Sequence, residues 1–120
     1  MKKPVLIVDD CGTTRKLLSY MIREKGYVTV TADNGIDALE KLATNPVDLV
    51  LTDLNMPQMD GIELVKNIRS NEAYKGLPVI MITTESGELD KETAFEAGVT
   101  TFLIKPVTPQ KLVEEIEKLL

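Results

Sequence analysis

The chain has 120 residues, 43% hydrophobic and 28% charged, with a net charge of −5; that is the length of one domain with enough apolar side chains for a core of its own. The acidic balance, with Lys and Arg scattered rather than gathered in a stripe, argues against a nucleic-acid partner. Histidine is absent and Cys11 is the one cysteine. That excludes a catalytic His, a phosphohistidine on this chain and an intramolecular disulfide, and leaves any metal to oxygen ligands, which favours Mg²⁺ or Ca²⁺.

From the N-terminus, a basic pair is followed by the short apolar run Val5-Leu6-Ile7-Val8, which meets Asp9 at once. A signal peptide needs a longer apolar region and a membrane span a far longer one, so a cytoplasmic protein with an intact N-terminus is expected. The run itself reads as a strand buried on both faces. Leu17, Leu18, Met21 and Ile22 then recur at helical spacing, and Gly26 supplies the stop. Val28-Thr29-Val30 reads as a second strand, and Ile36, Leu39 and Leu42 as a short helix ending before Pro46. Leu49-Val50-Leu51 is the third strand, after which Gly61 opens a helix carrying Ile62, Val65 and Ile68. Val79-Ile80-Met81-Ile82 is the fourth strand, followed by a weaker helix over about Leu89 to Ala97, then Gly98 and a fifth strand, Phe102-Leu103-Ile104. The last helix has the clearest start: Thr108 is a good N-cap and Pro109 fits the first helical position. Its apolar face is Leu112, Val113, Ile116, Leu119 and Leu120.

Apolar strands alternating with helices require a parallel sheet covered on both faces. The expectation is an α/β chain, (βα)₅, a flavodoxin-like three-layer sandwich. The strand order 2-1-3-4-5 is taken over from known five-stranded folds of this kind. In such folds the site lies at the carboxyl ends of the strands, near the switch between strands 1 and 3. There the sequence places Asp9 and Asp10 after strand 1, Asp53 after strand 3, Thr83 at the end of strand 4 and Lys105 after strand 5. Singly, each reads as well as a turn residue, a strand-end hydroxyl or a solvated charge. Together they do not, because two carboxylates about 4 Å apart repel by roughly 4 kcal/mol at an effective dielectric near 20. Three need compensation, and a hard divalent cation with Lys105 beside it provides that at neutral pH. Mg²⁺, a lysine and a hydroxyl donor together suit a phosphoryl group.

Five spaced pieces now carry a resemblance: Val8-Asp9-Asp10, Asp53 through Gly61 (DLNMPQMDG), Thr83, and Phe102-Leu103-Ile104-Lys105-Pro106. Over its whole length the chain resembles the receiver domains of two-component signalling, so residues 1–120 are expected to form a single receiver domain. The resemblance implies that Asp53 accepts the phosphoryl group. It also implies that Mg²⁺ is held by Asp10, Asp53 and the backbone carbonyl of Asn55, with Asp9 helping mainly through water. Thr83 and Lys105 would sense the phosphoryl group, and Phe102, three residues before the lysine, would pack inward when Thr83 moves. As a core Phe in strand 5 it needs no such role, so both readings of Phe102 stand. Asn55 and Glu85 resemble the positions that tune dephosphorylation in the chemotaxis branch, though ordinary polar loop residues account for them nearly as well. A cis Lys105–Pro106 peptide is implied too.

The donor must be external because the chain has no His; the resemblance names a sensor histidine kinase. Read-out would pass to a downstream protein through the face of helix 4, strand 5 and helix 5, by a population shift between two packings. No enzyme activity is expected beyond self-phosphorylation from a phosphodonor and autodephosphorylation. The unphosphorylated chain is expected to be a monomer; dimerisation on activation is left open. Cys11 reads as a structural or incidental thiol. Two rivals fit less well. A haloacid-dehalogenase-like phosphatase needs Asp-x-Asp after strand 1, and here Cys11 stands where the second Asp would be. A flavodoxin-like cofactor binder needs a phosphate loop where Asp9 and Asp10 would repel phosphate. Between receiver roles, a start at Met1 and an end at the last helix lead to the expectation of a stand-alone regulator, and Asn55 and Glu85 tilt the reading to a chemotaxis-type role over a phosphorelay shuttle to a histidine phosphotransfer protein.

Overall fold

A computed structural model describes residues 3–84 and 88–120. The elements are β1 (Pro4–Val8), α1 (Gly12–Glu24), β2 (Val28–Ala32), α2 (Gly35–Thr44), β3 (Leu49–Thr52), α3 (Gly61–Ser70), a 3₁₀ turn (Glu72–Tyr74), β4 (Val79–Thr83), α4 (Glu88–Ala97), β5 (Thr101–Ile104) and α5 (Pro109–Leu119). The strands form one parallel sheet in the order β2-β1-β3-β4-β5, the expected order.

Strand alternation divides the core into two halves. Leu6, Val8, Val50, Val79 and Met81 pack with Ala38 and Leu42 of α2, Leu64, Val65 and Ile68 of α3, and Ala94 of α4. Val5, Ile7, Leu49, Leu51, Ile80 and Ile82 pack with Ile22 of α1 and with Leu112 and Ile116 of α5. β1, β3 and β4 therefore bury both faces, which is why their sequences are continuously apolar. The edge strands do not: Val28 in β2 and Ile104 in β5 are exposed.

Asn34, Asp60 and Thr108 cap α2, α3 and α5, each side chain accepting the amide hydrogen of the third residue on, at 2.7, 2.9 and 3.1 Å. Gly26 and Gly98 follow α1 and α4 with φ of 91° and 115°, a conformation that suits glycine. Two helix residues depart from the periodic reading. Leu17 and Ile36, expected on apolar faces, are each more than half exposed. Ile22 and Leu42, from the same expected faces, do turn inward, joined by Ala38, and Ser19 is buried with its hydroxyl 2.9 Å from that of Thr29. Periodicity marks an apolar stripe; it does not say where the stripe meets solvent.

Candidate phosphoryl-acceptor and metal site

Parallel register brings the site together. Val8 pairs with Thr52, Thr52 with Met81, and Met81 with Phe102, so four strands run level just below their carboxyl ends. The chain leaves that line through Asp9 from β1 and Asp53 from β3, and the Asp53 amide donates to the Val8 carbonyl at 3.0 Å. One carboxylate oxygen from each of Asp9, Asp10 and Asp53 lies within 4.8 Å of the others.

The three differ in setting. Asp9 is buried at 2% exposure, Asp10 is exposed and Asp53 is half-buried. Asp9 is fixed: its Oδ1 accepts from the Cys11 amide at 2.9 Å, and its backbone carbonyl accepts from the Arg15 guanidinium at 2.6 Å. Asp53 Oδ1 accepts from the Leu54 amide at 2.8 Å, which leaves Oδ2 toward the cluster. Lys105 Nζ stands 3.4 Å from Asp9 Oδ2 and 3.8 Å from Asp53 Oδ2, the first cation in the site. Burial pushes the Asp53 carboxyl above its usual range, and Asp9 and Asp10 push the same way; Lys105 and the Leu54 amide oppose them without prevailing.

The donor set fits Mg²⁺. It is all oxygen, it carries excess negative charge, and its members are close enough for modest side-chain rotations to gather them on one hard cation. Asn55 lies exposed in the loop after Asp53. That loop closes where the Gly61 amide donates to the Leu54 carbonyl at 2.8 Å.

Thr83 is fully buried at the end of β4, in register with Ile104 of β5, and its carbonyl accepts from the Lys105 amide at 2.8 Å. Phe102 is half-buried against the core half that contains Met81 and Ala94. Because residues two apart share a sheet face, Thr83 and Phe102 lie on the same side of neighbouring strands. Lys105–Pro106 is cis, as the resemblance implies. Glu85 lies outside the described residues. Cys11 is exposed, and hydrogen bonds from Thr14 lower its thiol pKa, an influence not visible in the sequence. Nor is the part played by Arg15: its partner is a backbone carbonyl six residues away, and sequence shows only a basic residue on a helix.

No helix among the described residues is long and apolar enough to cross a membrane. Residues 5–117 match the family model of the response regulator receiver domain. The chain is 43% identical over 118 residues to chemotaxis protein CheY1 of Helicobacter pylori, covering 97% of this chain and 95% of that one. It is 43% identical over 116 residues to CheY-3 of Vibrio cholerae, covering 96% and 89%. The crystal structure of Vibrio cholerae CheY4 superposes with a TM-score of 0.95 at 35% identity, covering all of both chains.

Proposed function

The chain belongs to the response regulator receiver family and is homologous to chemotaxis CheY proteins, and on that premise we propose that residues 1–120 act as a single, Asp53-phosphorylated switch of the chemotaxis type. Receiver domains are signalling proteins, and the chemistry assigned to this one is on itself: it takes a phosphoryl group and loses it again. The observation that carries the reading is the convergence of Asp9, Asp10 and Asp53 with Lys105 Nζ on two of them.

Asp10, Asp53 and the Asn55 carbonyl would hold Mg²⁺ directly, with Asp9 acting mainly through water. The cation would offset charge on the phosphoryl oxygens and screen the carboxylates from one another. Asp53 Oδ2, free of the Leu54 bond, is the attacking atom. It forms the new P–O bond while the bond from phosphorus to the donor breaks, and the donor group leaves with its electron pair. For a sensor histidine kinase the broken bond is P–N and the imidazole leaves. Lys105 would turn from the carboxylates to a phosphoryl oxygen, and the Thr83 hydroxyl would donate to another. Phe102, on the same sheet face, would follow Thr83, so that β5 and the flanking α4 and α5 present a changed surface to a downstream protein. The acyl phosphate is labile, and Asn55 and Glu85 would tune its hydrolysis. We assign a cytoplasmic, monomeric resting state. A phosphorelay shuttle is not favoured, since the relatives named above are chemotaxis proteins.

The test is incubation with acetyl phosphate, with and without Mg²⁺, followed by intact mass for the wild type and Asp53→Asn. A single Mg²⁺-dependent phosphoryl adduct, absent from the variant, is expected. An adduct of equal yield on Asp53→Asn would overturn the acceptor assignment.

A further inference from the structure

The loop from Asp53 to Gly61 carries the carbonyl assigned to the cation, so whatever fixes this loop fixes the site. Its near end is anchored by Leu54 and Met56, both buried. Its far end turns through Gln58, whose φ of 69° is left-handed and unusual for a residue with a side chain. Pro57 and Gln58 are exposed. Met59 is the one apolar side chain on that arm, partly buried against the core half beneath it.

Met59 rests on Gly35, the first residue of α2. A Cβ at Gly35 would lie 2.7 Å from Met59 Sδ, 2.8 Å from its Cγ and 3.0 Å from its Cβ. Gly35 does not have a positive φ, so its backbone does not require glycine. Helix propensity would prefer alanine. A side chain at Gly35 would have to displace Met59. The contact joins two elements that are not sequence neighbours: a capped helix start, where Asn34 holds the Asp37 amide, and the acceptor loop.

We propose that Met59, seated on Gly35, is a positioning residue for the acceptor loop and that the pair sets the affinity of the site for Mg²⁺. Met59 touches neither cation nor phosphoryl group; it acts by holding the turn at Gln58, and through it the backbone at Asn55. The inference rests on the metal-binding reading above.

The test compares wild type with Gly35→Ala, Met59→Ala, the double variant and Met59→Leu. Mg²⁺ affinity is read by calorimetry, and amide hydrogen exchange over residues 55–61 is read in metal-free protein. Each of the two single alanine variants should weaken Mg²⁺ binding roughly tenfold, the low end of what losing support behind a metal ligand costs, and should speed exchange in the loop. The double variant should bind close to Met59→Ala, because the two nearest atoms, Sδ and Cγ, are then gone and an alanine at 35 meets only the Cβ retained at 59, 3.0 Å away. Met59→Leu keeps the bulk and should stay within about threefold of wild type. The inference is overturned if both alanine variants keep wild-type affinity and loop exchange, even with lowered Tm, or if their effects multiply in the double variant. A wild type that binds no Mg²⁺ would overturn the metal-binding reading itself and this inference with it.

Discussion

A methyl group placed on Gly61 would run into the backbone carbonyl oxygen of Asp53, so the start of α3 and the acceptor meet backbone to backbone. The same methyl would lie 3.0 Å from Leu54 Cα and 3.0 Å from Met81 Cε. Two of these three neighbours are main-chain atoms and cannot swing aside. Gly61→Ala must therefore push α3 away from β3 or tilt the Asp53 peptide. Overpacking of this kind costs about 1–3 kcal/mol, and thermal unfolding should show a Tm lower by several degrees. Phosphorylation by acetyl phosphate should fall by more than the loss of folded protein accounts for, because the displaced peptide carries the nucleophile. A variant of unchanged Tm and unchanged rate would show that the contact relaxes at no cost.

Asp53 binds its proton more tightly in the folded chain than its ordinary value of 3.8 allows, burial being the main cause. The native state therefore holds more protons than the unfolded state between the two values. The stabilisation from this group is complete below the ordinary carboxylate range and is lost as pH rises through the raised, folded-state pKa. At neutral pH the ionised Asp53 works against the metal-free fold. Asp53→Asn, measured in chelator at pH 7, should have a higher Tm than wild type. The gap should close as pH is lowered toward 4, about where an aspartate protonates. Mg²⁺ should raise the wild-type Tm and leave the variant nearly unmoved. A variant less stable than wild type at pH 7 without metal would reverse this sign and show that ionised Asp53 supports the fold.

Lys105 competes with the cation it helps to accommodate. Its ammonium is 3.4 Å from Asp9 Oδ2 and 3.8 Å from Asp53 Oδ2, with the side chain 23% exposed. Solvent reaches the lysine, so its attraction is well below the dry-interior limit. Lys105→Met should lower metal-free stability by about 1 kcal/mol. It should also tighten Mg²⁺ binding by about three- to tenfold, since one positive charge no longer shares the carboxylates. Adduct formation should nonetheless slow, because no ammonium remains to meet the transferred group. Weaker Mg²⁺ binding in this variant would mean that the lysine orders the carboxylates rather than competing for them.

The strands and the acidic cluster are legible in the sequence for physical reasons that differ by element, whereas the strand order is taken over from known folds and the roles of Asn55 and Phe102 from the resemblance. β1, β3 and β4 are continuous apolar runs because helices cover both their faces, and the acidic residues stand out because the runs of β1 and β3 give way to them. Parallel register then does the rest: Asp9 and Asp53 must emerge side by side once Val8 pairs with Thr52. Contacts between distant elements are not legible in this way. Gly98 reads as a helix stop, yet a Cβ there would also strike Arg69, whose Nε donates to the Gly98 carbonyl at 3.0 Å across 29 residues. Gly35 similarly reads as an ordinary residue before an apolar helix, and only its distance to Met59 shows what a side chain there would displace. The cap at Asn34 could have been found: a side-chain acceptor stands three residues before Asp37, at the start of an apolar period.

Thr83 supplies the last test, because its backbone and side chain have separable duties. Its carbonyl accepts from the Lys105 amide at 2.8 Å and holds β5 in register, a bond that any residue at 83 would keep. Its hydroxyl is the part assigned to the phosphoryl group. Thr83→Ala should therefore still fold, at a cost of about 1–2 kcal/mol for a fully buried position, and should still form the Asp53 adduct. What it should lose is transmission. Hydrogen exchange over residues 88–104 should change on phosphorylation of the wild type and stay near its resting pattern in Thr83→Ala. Thr83→Ser restores the hydroxyl without the methyl and should recover most of the response. If Thr83→Ala responds fully, the hydroxyl is not the link, and the change must pass from Asp53 to β5 through Lys105, which pairs with the acceptor and follows β5 directly.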